Sequence, residues 1–154
     1  MNRDQKLASL GFPLSDTPGP AAKYELIQVV GKTAYISGCL PISDSVLTTT
    51  GRLGDDVELA QGAAAARLCA ANILRIAAAK LGSLSRVGQV VRLGGYVSSS
   101  PTFFEQHLVL NGASELMTEV LGEAGRHTRS AIGVPCLPLG ACVEVDALLM
   151  IDPA

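Results

Sequence analysis

From Val57 to Leu81, apolar side chains recur at the spacing of one helix face: Leu59, Ala63, Ala66, Ala70, Ile73, Leu74, Ala77 and Leu81. Asp55 and Asp56 near the start and Lys80 near the end suit the helix dipole, and Gly82 is a fitting stop. Half of that face is alanine, so its partner must approach closely. A helix of this kind is a packing element that lies flat on a sheet, and it asks the rest of the chain to supply strands.

The flanking segments do so. "YELIQVVGKTAYISGCLP" reads as two strands around "VGKT", a hairpin rich in β-branched residues. "VGQVVRLGGYVSS" resumes strand character, and "SAIGV" and "ACVEVDALLMI" are the last strands, with "PCLPLG" between them. A second helix is predicted from about Pro101 to Leu121, with an apolar face of Phe104, Leu108, Leu116 and Val120. "SDTPGPAAK", "ISDSVLTTTGRLGDD" and "GEAGRHT" read as loops. Residues 1–17 form an N-terminal extension in which "RDQKLASLGF" makes a short helix. The order is β-β-α-β-α-β-β. It predicts one α+β domain over residues 1–154, with both long helices on one face of the sheet.

The uncovered face then needs a partner. Hydrophobic residues make up 48% of the chain and charged ones 17%, against about a quarter charged in ordinary domains. An oligomer that hides the bare face is expected. The net charge of −2 supplies no electrostatic footprint for nucleic acid. Cys39, Cys69, Cys136 and Cys142 have no CxxC spacing, and His107 and His127 complete no ligand set, so free thiols and no metal are expected. The N-terminal "MNRDQKLASLGFPL" lacks an uninterrupted apolar core, and no charge-free apolar run reaches membrane-spanning length. A reduced, cytoplasmic setting without a membrane is expected.

One stretch is polar where its surroundings are not. "RHTRS" opens the strand at 126–130, and Glu144 follows Arg129 by fifteen residues in the next strand. Two readings compete: an ion pair across adjacent strands, or a pocket for an anionic ligand. A planar guanidinium holds a planar carboxylate through two parallel bonds, each contributing roughly 1.5–3 kcal/mol when water is excluded. A carboxylate such as Glu144 can orient a water and accept its proton. Arg126 and His127 read as loop residues near the mouth of such a cleft. "VRLGGYV" carries two glycines without the context of a nucleotide-binding loop.

The spacing around these residues resembles the RidA/YjgF superfamily, the reactive intermediate deaminases also labelled endoribonucleases. The resemblance rests on Arg129-Ser130, on Leu137-Pro138 eight residues after the arginine, and on Val143-Glu144-Val145. It also rests on the first hairpin, with Tyr24 fourteen residues before Gly38, and on Asn111 in "HLVLNG". It runs from about residue 18 to 151. Departures are His127-Thr128 in place of Pro-Ala, Ala131 in place of a frequent cysteine, and Ser114 at an aromatic helix position. With the longer 43–56 loop and N-terminal segment, they resemble a longer branch of the family.

The resemblance implies a chorismate-mutase-like α+β subunit assembled as a homotrimer, with clefts between subunits that take small 2-imino or 2-keto acids. It implies Arg129 as carboxylate clamp and Glu144 as the group that orients water. Tyr24, Gly38, Asn111, Ser130, Ala131 and His127 would be substrate-binding, and no cofactor is implied. Three functions follow: a hydrolytic deaminase of 2-imino acids, a non-catalytic binder or sensor of small carboxylates, and a ribonuclease.

Overall fold

The computed structural model describes residues 1–20 and 22–153. Along the chain, helix α1 (Arg3–Ser9) precedes strands β1 (Ile27–Val30) and β2 (Thr33–Cys39). A small hairpin follows, β3 (Ile42–Ser43) and β4 (Val46–Leu47), and then helix α2 (Leu59–Leu81). Strand β5 (Val87–Ser98), helix α3 (Gln106–Leu121) and strands β6 (Thr128–Val134) and β7 (Val143–Ile151) complete the fold. The main sheet is ordered β1-β2-β7-β5-β6. β5 and β6 run parallel, with α3 crossing between them, and the other neighbours are antiparallel. This is the predicted α+β order, with the expected short N-terminal helix as α1 and the hairpin β3–β4 added.

Both long helices cover one face of the sheet, and alternation along β7 shows which. Val143, Val145, Ala147, Leu149 and Ile151 are buried beneath the helices, while Glu144, Asp146 and Leu148 on the other face are half-buried. Close approach is built into the helix layer. A Cβ on Gly112 would run into the backbone carbonyl of Ala63, and one on Gly95 into the side chain of Leu110. The open face keeps apolar residues in view: Tyr35 is 53% and Ile132 48% exposed.

α2 is more enclosed than a single face predicts. Every residue from Ala70 to Ala78 is buried, because the N-terminal extension covers the side that the sheet and α3 leave free. That cover is held by polar contacts. Arg75, 1% exposed, donates to the Pro13 carbonyl (2.9 Å) and to Asn72 Oδ1 (2.9 Å), and it lies 3.3 Å from Asp16. Asn72 donates in turn to the carbonyls of Leu40 and Ile42. Asp16 accepts from Ser43 Oγ and the Asp44 amide. The extension, α2 and the small hairpin are thereby tied at one point. α2 is long and apolar enough to span a membrane, but 78% of its most apolar window is buried, the signature of a core helix.

Two local predictions need correction. The second helix starts at Gln106, not near Pro101: the Phe103 amide bonds back to Ser100, and the preceding turn leaves Phe104 76% exposed. Leu108 is also exposed, and the buried face is Val109, Leu110, Ala113, Leu116, Met117, Val120 and Leu121. The polar 43–56 loop is partly ordered as strand. Asp44 and Ser45 both have positive φ, the geometry that closes a two-residue hairpin. Leu53 is fully buried, exchanging backbone bonds with Ser98 and Ser100.

Because the Gly112 contact is with backbone, which cannot rotate away, Gly112→Ala should lower unfolding free energy by about 1–3 kcal/mol. Urea titration measures it. A change within about 0.5 kcal/mol, the range of neutral surface substitutions, would show that the helices part without cost.

Candidate functional site

β7 places Glu144 and Asp146 two residues apart, hence on the same open face. Each carboxylate lies across a glycine of a neighbouring strand. A Cβ on Gly38 would stand 2.7 Å from Glu144 Cδ, and one on Gly94 would meet the Asp146 carboxylate. β2 is irregular here: Ser37 and Gly38 together oppose Asp146, a bulge that opens space beside Glu144.

The two carboxylates live in different surroundings. Asp146 accepts the Tyr96 hydroxyl at 2.9 Å and has Arg92 3.9 Å away; Arg92 in turn donates to Ser130 Oγ at 3.3 Å. Among the described residues Glu144 has no hydrogen-bond or ion-pair partner. Burial first, and the Asp146 charge second, push its carboxyl above the ordinary range. The Tyr96 phenol is raised as well, chiefly by its hydrogen bond to Asp146. A cavity of about 440 Å³ opens here, walled by Tyr24, Leu26, Ile42, Ile76 and Leu139, with Glu144, Asp146 and Tyr96 as its ionisable lining beside Tyr24 and Cys39. No basic side chain lines it among the described residues. Cys39 is pushed up to about 12 by burial, then by Glu144 and Asp146, so its thiol stays protonated and is a poor nucleophile.

Arg129 belongs to the other face. It pairs across the sheet with Leu93, which is buried under the helices. Its guanidinium reaches α3, where His107, Asn111 and Ser114 share one helix face. Nη1 donates to Ser114 Oγ at 2.9 Å, and Nη2 donates to the His107 carbonyl at 2.8 Å and Asn111 Oδ1 at 2.9 Å. Three of five N–H donors are thus engaged, and two remain for a ligand. His127 joins the group through Ser114, 2.8 Å from its Nε2. Arg126 stays exposed, paired with Glu123 at 3.3 Å.

Of the residues singled out in the sequence, Tyr24, Gly38 and Glu144 come together in the cavity. Arg129, Asn111 and His127 come together at the seam of β6 and α3. Ser130 points to the open face, and Ala131 is half-buried opposite Gly95. The two groups lie on opposite faces with β5 between β6 and β7, so an ion pair of Arg129 with Glu144 within one chain is excluded. Tyr96, Asp146 and Ser114 lie outside the site residues that the sequence singles out. Asp146 carries a legible signal, two residues from Glu144 in one strand, whereas Tyr96 needs the β5–β7 register, which pairs it with Glu144.

The sheet thus carries its helix layer on one face and the two carboxylates of β7 on the other. The chain belongs to the YjgF/chorismate-mutase-like, putative endoribonuclease family, whose model matches residues 4–149. It is 45% identical over 147 residues to Protein TCP17 of Trypanosoma cruzi, covering 95% of this chain and 92% of that protein. The crystal structure of Atu1372 from Agrobacterium tumefaciens superposes with a TM-score of 0.91 at 46% identity, over 98% of this chain and 94% of that one. RidA from a Psychrobacter species is more distant: TM-score 0.62 and 28% identity, over 88% of this chain and 94% of that one.

The raised Glu144 carboxyl has a consequence for stability. With its folded pKa above the unfolded one, the folded chain holds more protons over that interval, so stability falls as pH rises through it. At neutral pH the ionised group is a burden. Glu144→Gln should therefore raise the melting temperature at pH 7, and the gain should shrink as pH falls below the ordinary carboxyl range. A lower melting temperature for the variant at pH 7 would mean that Glu144 has a stabilising partner.

Proposed function

We propose that the protein hydrolyses small, reactive 2-imino acids to 2-keto acids and ammonium, at sites that two subunits of a homotrimer complete together. The observation that carries this reading is the unpartnered Glu144 carboxylate in an apolar-walled cavity, its proton affinity raised by burial. A carboxylate so placed accepts a proton from water more readily than a solvated one. The water oxygen bonds to the imine carbon, the C=N electron pair moves to nitrogen, and Glu144 takes the water's proton. From the protonated imine this leaves a neutral amine, to which Glu144 returns the same proton. The C–N bond then breaks with its electron pair on nitrogen, and the hydroxyl proton passes to the departing ammonia, giving ammonium as the carbonyl forms.

Arg129 supplies the carboxylate clamp. It lies across the sheet from Glu144 in its own chain, at edge strand β6, so it serves the cavity of a neighbouring subunit. The exposed apolar residues of the open face, Tyr35 and Ile132 among them, support burial of that face in the assembly. The lining of two carboxylates without a basic group favours a protonated imine over a phosphate backbone, which weighs against a ribonuclease.

Ammonia release from freshly generated 2-imino acid tests the activity, and sedimentation tests the trimer. Wild type should accelerate release. Arg129→Ala should lose both 2-keto acid binding and turnover, while Glu144→Gln keeps binding and loses roughly 10²–10⁴ in rate. Mixing the two inactive variants under subunit exchange should restore roughly a quarter of wild-type activity, since one site in four then has both residues intact. Sites built within one chain would recover nothing.

A further inference from the structure

Arg129 is one end of a hydrogen-bonded chain whose direction is legible. His127 Nδ1 lies 2.6 Å from the Gly125 carbonyl, which can only accept. With one proton on the ring, that proton is therefore on Nδ1 and Nε2 is the acceptor. Its neighbour at 2.8 Å is Ser114 Oγ, so the serine hydroxyl donates to histidine. That leaves the oxygen's lone pairs to accept from Arg129 Nη1 at 2.9 Å. Every donor in the series Arg129, Ser114, His127 points the same way, ending on a backbone carbonyl.

From this geometry we infer that Ser114 and His127 are positioning residues that hold the Arg129 guanidinium in its ligand-binding orientation. The inference rests on Arg129 being the carboxylate clamp of the proposed site. Both residues fall where the sequence departs from the family pattern: Ser114 at an aromatic position and His127 at the place of a proline. The departures are thus linked. A hydroxyl without the histidine is free to turn its proton toward the arginine, and a histidine without the hydroxyl reaches nothing on α3. Asn111 and the His107 carbonyl fix the Nη2 end, and Ser114 fixes Nη1. The guanidinium plane is defined only with both, leaving one Nη1 proton and the Nε proton, on different edges of the group, for separate single bonds to a ligand.

Acting in series through one bond makes the two residues non-additive, which separates positioning from general structural support. The measurement is 2-oxobutanoate affinity by calorimetry, with melting temperature as a control. The variants are Arg129→Ala, Ser114→Ala, Ser114→Thr, His127→Ala and the double Ser114→Ala/His127→Ala. Ser114→Ala should weaken binding by roughly 3- to 10-fold, the cost of ordering one freed long side chain. Ser114→Thr, which keeps the hydroxyl, should bind as wild type. His127→Ala should lose no more than Ser114→Ala, and the double variant no more than Ser114→Ala alone. In turnover the loss should fall on KM with kcat preserved, because the clamp acts on ground and transition states alike. Additive losses, or unchanged affinity in Ser114→Ala while Arg129→Ala loses binding, would overturn the relay and leave the clamp standing. Wild-type affinity in Arg129→Ala would overturn the clamp, and the relay with it.

Discussion

The close contact between α2 and α3 is the constraint on which the rest of the structure depends. Gly112 against the Ala63 carbonyl, and Gly95 against Leu110, bring the two helices and the sheet to a separation that no larger side chains permit. All the helical cover is thereby spent on one face. The other face is left with exposed aromatic and aliphatic residues and with the two carboxylates of β7. One packing decision thus sets both where the chain is closed and where it is open to a ligand or to another subunit.

Within the open face, the difference between Glu144 and Asp146 follows from their neighbours rather than their type. Both extend over glycines, so both have room to lie flat on the sheet. Asp146 accepts the Tyr96 hydroxyl and has Arg92 beside it; Glu144 has no such partner among the described residues, and burial works against its ionisation. Two carboxylates of one strand thus differ in their partners, one tied to Tyr96 and Arg92 and the other untied.

The N-terminal extension acts on this arrangement from outside the sheet. Buried Arg75 is satisfied only with Asp16, Asn72 and the Pro13 carbonyl in place, since an unpaired buried charge is strongly unfavourable. Anchoring Asp16 fixes where the following residues begin, and Pro18, Gly19 and Tyr24 then form part of the cavity wall. A segment that reads as an appendage in the sequence thus anchors the loop that walls the cavity.

Periodicity alone determined much of this protein. The alanine-rich pattern of 57–81 specified a helix that must lie close on a sheet, and the polar Glu144 and Asp146 set between Val143, Val145 and Ala147 mark the face of β7 turned away from it. Those signals are local, set by side-chain spacing, and so survive in a bare sequence. The spacing of Arg129, Gly38 and Glu144 likewise pointed to the family. What it left open was whether Arg129 and Glu144 meet, because strand order is a property of the closed sheet: β5 lies between β6 and β7, and pleating turns the two side chains to opposite faces. The start of α3 was misread for a similar reason, since the Ser100–Phe103 turn and the Leu53 bridge to β5 override the helical signal after Pro101. Tyr96 and Ser114 became functional candidates only through register and crossover, which bring residues 96 and 144, and 114 and 129, within reach of one another. Pairings so distant along the chain are decided by packing, and only the tertiary structure carries them.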